Sequence, residues 1–166
     1  MTTAESVSDL IRAKTLFATG EYTCVLVKGD SVLTSAARGV APMIGFITEG
    51  VDLRGFSVAD KVVGKAAALL FAKAEVGQVY APLASHAAID VLANAGIAAQ
   101  FDTIVGRILK SDGTGPCPME QQVAHTDDPD TAYTQLSAAL AQMRAAAQAN
   151  PTNQSSQQPS NRERND

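Results

Sequence analysis

The chain has no tryptophan, and its 166 residues include only 3 Tyr and 5 Phe. A core cannot be built around aromatic rings with so few of them. It falls to Ala, Val, Leu and Ile, whose compact side chains favour helices packed closely on a sheet. Cysteine is also scarce: Cys24 and Cys117 stand in contexts too different for a disulfide framework, and two cysteines alone cannot make a zinc finger. Reduced thiols fit a cytoplasmic protein. The formal charge is -4 and Lys/Arg residues occur scattered rather than in clusters, so nothing draws the chain to nucleic acid or to an anionic membrane surface. No apolar run approaches the roughly 18 to 20 residues of a membrane helix. The opening MTTAESVSDL is polar and acidic, so neither a signal peptide nor a membrane span is expected. What remains, 46% apolar and 18% charged residues, is sized for one globular domain with a buried core.

The first helix is expected over Ser6 to Thr19, where Val7, Leu10, Ile11, Leu16 and Phe17 fall at helical spacing and Gly20 follows. Tyr22 to Lys28 is β-rich, Lys28-Gly29-Asp30-Ser31 is turn-forming, and Val32-Leu33-Thr34 completes a hairpin. Cys24 lies in its first strand and reads as a buried small hydrophobe. Arg38 to Glu49 has helical spacing, with Pro42 acceptable only in the first turn. Phe56 to Ala59 reads as a strand running directly into a helix over Asp60 to Phe71, with Asp60 as N-cap. Gln78 to Pro82 and Ile97 to Phe101 read as strands around a helix from His86 to Asn94, and Thr103 to Lys110 fits helix or strand. A short helix continues from Glu120 to Ala124. Asp128-Pro129-Asp130 caps a last helix from about Thr131 to Gln148, with Leu136, Leu140 and Met143 on one stripe. Strands alternating with helices imply an α/β fold whose sheet is at least partly parallel and covered on both faces. The ordered domain should span residues 1–149. From Asn150 to Asp166 the composition turns to Asn, Gln, Ser and Pro with no apolar anchor, which describes a disordered tail.

Two stretches carry more than packing requires. In Asp112-Gly113-Thr114-Gly115-Pro116-Cys117-Pro118-Met119-Glu120, Gly113 and Gly115 can take positive φ, and Pro116 and Pro118 stiffen the backbone. Pro118 suits the first position of a helix, with Cys117 just before it and Glu120 in the first turn. A thiol placed there feels the helix dipole and reads either as a reactive group or as a structural cysteine in a tight turn. In the second stretch Lys61 and Lys65 stand four apart, sharing a face if the helix begins at Asp60, with Gly64 opening the backbone between them. Such a helix start would suit a phosphate or carboxylate; the plainer reading is two solvated lysines and a close-packing glycine.

Val58-Ala59-Asp60-Lys61-Val62-Val63-Gly64-Lys65-Ala66-Ala67-Ala68-Leu69-Leu70, taken with the Asp112 to Glu120 stretch, resembles a small prokaryotic family of unknown function with the cytidine-deaminase-like fold. The likeness covers roughly Ser6 to Val123. It implies a three-layer α/β/α sandwich with a mixed sheet. Ala59 to Gly64 also resembles part of the formate dehydrogenase accessory sulfurtransferase family. In deaminases of this fold, a His or Cys with a Glu opens one helix and Pro-Cys-x-x-Cys opens the next, and the three ligands hold zinc. Here Ala59-Asp60-Lys61 supplies no ligand, and Pro116-Cys117-Pro118-Met119-Glu120 keeps one cysteine with Glu120 where the second would be. A catalytic zinc needs three protein ligands, so neither metal nor deaminase activity is expected, and no cofactor is implied. His86 and His125 lie outside both motifs and read as surface or capping residues.

The resemblance implies a pocket that brings Asp60, Lys61, Gly64 and Lys65 near Gly113, Thr114, Gly115, Cys117 and Glu120. Two functions then stand open. In one, Cys117 is the nucleophile of a group-transfer enzyme, sulfur transfer included, acting on a small anionic or nucleotide-like molecule. Lys61 or Lys65 would stabilise the thiolate or bind the anion, Asp60 would cap or exchange protons, and Lys65, Gly64, Gly113, Thr114, Gly115 and Glu120 would line the ligand. In the other, the same pocket binds a small ligand without chemistry. The Ala-rich helices leave room for a third role, packing against a second copy of the chain.

Overall fold

The computed structural model describes residues 3–149. The expected tail at 150–166 lies outside them, as do residues 1 and 2. Among the described residues six helices and six strands follow in the order α1 (Thr3–Ala18), β1 (Cys24–Lys28), β2 (Ser31–Ser35), α2 (Ala41–Thr48), β3 (Ser57–Asp60), β4 (Val62–Val63), α3 (Lys65–Ala74), β5 (Gln78–Ser85), α4 (His86–Asn94), β6 (Ala98–Val105), α5 (Pro118–Gln122) and α6 (Pro129–Ala149). The sheet is mixed. β2, β1, β3 and β5 lie side by side, β4 extends the β3 position along β5, and β6 pairs with the other side of β5. β1 is antiparallel to β2 and β3, whereas β3, β4 and β6 all run parallel to β5.

Alternation along the strands divides the interior into two unequal cores. Cys24 and Leu26 of β1 and Val58 of β3 turn to the large core, while Val25, Val27 and Ala59 turn to a small one beneath α1. Only α1 supplies the small core with helical side chains: Ala13 is buried there, with Leu16 and Phe17 beside it. Polar contacts also fix this helix. The Asp9 carboxylate accepts from the Gly29 amide at 3.1 Å, Arg12 donates to the Gly29 carbonyl, and Gln78 donates to the Ser6 carbonyl. The result is an α/β/α sandwich with a mixed sheet, as expected, with one helix on one face and the remaining core-forming helices on the other.

α3 is the axis of the large core. Every residue from Ala66 to Phe71 is buried, because the sheet covers one side of the helix and α2, α4, α5 and α6 approach the others. The three buried alanines Ala66, Ala67 and Ala68 let those neighbours come close without large rings, which is how a chain with so few aromatics closes its interior. α6 seals this layer through Leu136, fully buried, and Ala132. Asp128 caps its start, accepting from the Thr131 amide at 2.8 Å, and Lys73 pairs with Asp130 at 2.6 Å. The expected apolar stripe is spent by its third member: Met143 is 51% exposed.

The hairpin, α1, α2, α4 and α6 form where the patterns place them, within a few residues. β5 and β6 run on past Pro82 and Phe101, and the start of the ambiguous Thr103 to Lys110 stretch is the end of β6. One expectation is overturned. Asp60 does not open the helix; it ends β3, the chain breaks at Lys61 and re-enters the sheet at Val62–Val63, and α3 begins at Lys65 with Gly64 as N-cap. Val62-Val63 is β-branched and Gly64 is a poor helix former, so the local preference is extended up to the glycine. Lys61 and Lys65 therefore share no helical face.

Phe71 is fully buried on α3. Phe71→Ala is expected to lower the free energy of unfolding by about 3–5 kcal/mol, read from urea denaturation.

Candidate functional site

At the carboxyl end of the parallel strands, where α/β sheets place their ligands, α5 crosses to the start of α3. The five residues of α5 open on Pro118, with Cys117 as N-cap, as expected. Met119 is buried in the large core, and the next residue, Glu120, reaches across to α3. Its Oε2 accepts from the Ala66 amide at 3.2 Å. This is one of the first-turn N–H groups that have no partner within a helix.

Gly64 makes that contact possible. A Cβ added there would lie 1.3 Å from Glu120 Oε1 and 2.9 Å from Ile108 Cγ1. Any side chain there, however small, would force the Glu120 carboxylate and Ile108 to move. Burial pushes the Glu120 pKa above the ordinary value, while the amides of Ala66 and Lys65 and the Lys65 ammonium pull it back. The anion that the sequence places at this helix start is thus a side chain of the chain itself.

Lys65 is the first residue of α3, and its ammonium is paired with Asp127 at 2.9 Å. The Lys65 side chain is mostly covered and Asp127 is exposed, so the pair closes one side of the site at its rim. Nothing in the residues around Asp127 marks it as a partner; the turn between α5 and α6 brings it there. Lys61 is exposed at the break between β3 and β4, and its amide donates to Asp60 Oδ1 at 2.7 Å and to the Thr23 carbonyl at 3.1 Å.

Asp60 is 5% exposed and stands opposite Cys24 in the β1–β3 register. Burial raises its pKa to about 7 against the pull of the Lys61 and Val62 amides. Cys24 is buried as expected, and burial followed by the nearby Asp60 charge pushes its thiol well up, which disfavours the reactive thiolate. The sequence gives no hint of this pairing of a carboxyl with a thiol, because it is set by strand register.

Cys117 is the more accessible thiol, half-buried at the edge of the large core. Its amide donates to the Ile108 carbonyl at 3.1 Å, and Leu109 bridges Pro116, so the segment between β6 and α5 folds back on itself as a small hairpin. Gly113 and Thr114 form the exposed tip of that hairpin. Gly113 takes φ +73°, as its residue type allows, whereas Gly115 does not use positive φ. Asp112 Oδ1 accepts from the Thr114 amide and hydroxyl at 3.0 and 2.7 Å, tying the tip to itself. Of the expected site residues, the structure joins Gly64, Lys65 and Glu120 at the start of α3, sets Asp60 beneath the strand ends, and leaves Lys61, Gly113 and Thr114 exposed. Among the described residues no group of three or more His, Cys, Asp or Glu side chains is placed to hold a metal ion.

A family model described as a domain of unknown function, DUF1893, matches residues 12–140. The crystal structure of a DUF1893 family protein from Thermotoga maritima is similar at a TM-score of 0.71 and 27% identity, over 81% of this chain and 90% of that one. The apo dCMP deaminase of the cyanophage S-TIM5 is 16% identical over 61% of this chain and 99% of its own, at a TM-score of 0.40 that bears no argument. No curated protein matches the chain.

Two outcomes test this geometry. Gly64→Ala should cost about 1–3 kcal/mol in denaturation midpoints, and the cost should shrink by about 1 kcal/mol or more when Glu120→Ala is also present; additive effects would mean that the two residues do not meet. Asp60 has its folded pKa raised above the unfolded value, so its contribution to stability is full below about pH 4 and is lost as pH rises through about 7. Asp60→Asn keeps the acceptor oxygen and should flatten that decline, worth about 4 kcal/mol at most, in stability measured from pH 4 to 8.

Proposed function

The chain belongs to the DUF1893 family, and we propose that it is a metal-free binding module for a small anionic or nucleotide-like molecule, seated at the start of α3. The observation that carries this reading is the Glu120 carboxylate lying over Gly64 on the Ala66 amide. A site that already holds one carboxylate on a helix N-terminus, with a glycine cleared beneath it and a lysine at its rim, has the chemistry for a phosphate or carboxylate of similar size. Glu120 is then an internal occupant that a ligand displaces. Asp60 serves as a buried support for the strand break, Lys65 exchanges Asp127 for the ligand, and Lys61 with the Gly113 to Gly115 hairpin lies at the outer margin. Both cysteines are free, which suits the cytoplasm. No helix among the described residues is long and apolar enough to cross a membrane.

The accessibility of Cys117, three residues before Glu120, favours a second reading as a group-transfer enzyme. Its thiolate would attack the transferable group, which for sulfur transfer is a sulfane sulfur. The leaving group would depart with the bonding electron pair and take up a proton, and a second nucleophile would then accept the group and restore the thiolate.

The readings separate by measurement. Titration calorimetry with inorganic phosphate and with a nucleoside monophosphate should show weak binding to the native chain and at least about tenfold tighter binding to Glu120→Ala, since the internal competitor is gone. Failure of either form to bind would remove the binding module. Cys117 should react with iodoacetamide no faster than a free thiol of pKa about 8.5; a reaction tenfold faster at neutral pH would favour the enzyme.

A further inference from the structure

The sheet ends on β6, which α4 and the large core cover on one face but whose outer edge meets no other strand among the described residues. Among the described residues β6 pairs only with β5, and six of its eight residues are exposed, against none of the eight in β5. Its outer edge offers a row of backbone donors and acceptors, and Asp102 is the only charge along Ala98–Val105. Edge strands are ordinarily blunted by lysines, proline, bulges or brevity; β6 has no lysine or proline and is longer than the β2 edge, which has five residues. α1, the one helix on its face of the sheet, packs on β1, β3 and β5. The side chains of Gln100 and Asp102 are left exposed on that face, where Tyr80 donates its hydroxyl to Asp102 at 2.6 Å. On the opposite face Phe101 is partly buried against the large core.

We propose that β6 is a self-pairing edge: two copies of the chain join β6 to β6 antiparallel about a two-fold axis at Phe101. A two-fold axis perpendicular to the sheet keeps each side chain on its own face, so an even register is required and one residue must meet its own copy. Centring on Asp102 would oppose like charges. Centring on Ile104 carries the pairing past the strand into Gly106 and Arg107. Centring on Gln100 or Thr103 pairs a shorter part of Ala98–Val105, and Phe101 alone meets all three demands. It pairs Ala98 to Ile104 throughout and sets each Asp102 carboxylate opposite the Gln100 amide of the second copy. The small Ala98 and Ala99 then face Ile104 and Thr103, and the Phe101 rings meet where each already borders its own large core. Ile104, 46% exposed in the single chain, gains a neighbour. An isologous pairing closes on itself and removes both β6 edges, leaving no open end for further addition.

Sedimentation velocity of the full chain over micromolar to millimolar concentrations tests the pairing, with circular dichroism confirming that each variant is folded. The native chain should pass from monomer to dimer and no further. Gln100→Lys puts a lysine opposite Asp102 at two symmetric places and should tighten the dimer by roughly three- to tenfold. Gln100→Glu puts like charges there and should weaken it by a similar factor. Opposite responses at one exposed position fix the register as well as the surface. A chain that stays monomeric at every concentration overturns the proposal, as does a dimer indifferent to both substitutions, which would be held by another face.

Discussion

The contact between the Glu120 carboxylate and the first turn of α3 is the constraint on which the site depends. It joins the two sequence motifs through residues 54 positions apart, and it bears on the residue types on both sides. Gly64 leaves room for the carboxylate, Ala66 offers its amide, and the short helix that Pro118 opens turns its third residue across. A buried carboxylate without partners would cost several kcal/mol or take up a proton; here a helix N-terminus supplies both a donor and a favourable dipole.

The contact also explains why Cys117 is half-buried where it is. α5 is anchored at its far side by Met119 in the large core and on the near side by Glu120, and the hairpin from Arg107 to Pro116 closes the loop behind it. The thiol is therefore held by neighbours fixed for other reasons. The Asp60 carboxyl beneath the strand ends is likewise placed by strand register, with two backbone amides as its local support. The cluster combines two carboxyls, Asp60 and Glu120, whose pKa values burial raises, with one ion pair at its rim.

Much of the frame was legible in the sequence. The β-rich run of Tyr22 to Lys28, the Gly29-Asp30 turn, the capping Asp128 and the paired prolines around Cys117 are local signals, and the structure follows them. The start of α3 was not legible in the same way. Asp60 is an excellent N-cap by type, and the helical pattern of Ala66 to Phe71 extends back through Lys61 by spacing alone, yet pairing of Val62 and Val63 with Leu83 and Ala84 outweighs it. Tertiary partners decide such a case, and a single chain read in one dimension does not show them. The pairing of Lys65 with Asp127 and the facing of Cys24 and Asp60 are of the same kind. They depend on which strands and turns become neighbours, and no spacing rule reaches that far.

The unequal division of the interior has its own consequence for how the molecule breathes. The core beneath α1 rests on four buried residues, Ala13, Val25, Val27 and Ala59, none larger than valine, whereas the other side holds most of the buried hydrocarbon. α1 adds the buried Leu10 and the partly buried Leu16 and Phe17, a smaller apolar area than α3 commits, so it lifts away at a smaller free-energy cost than the whole fold. Each such excursion bares the middle of the sheet while the α3 layer stays intact. Backbone amides in α1 would exchange with solvent hydrogen sooner than those of α3, and a protease would cut within α1 before it cut within α3.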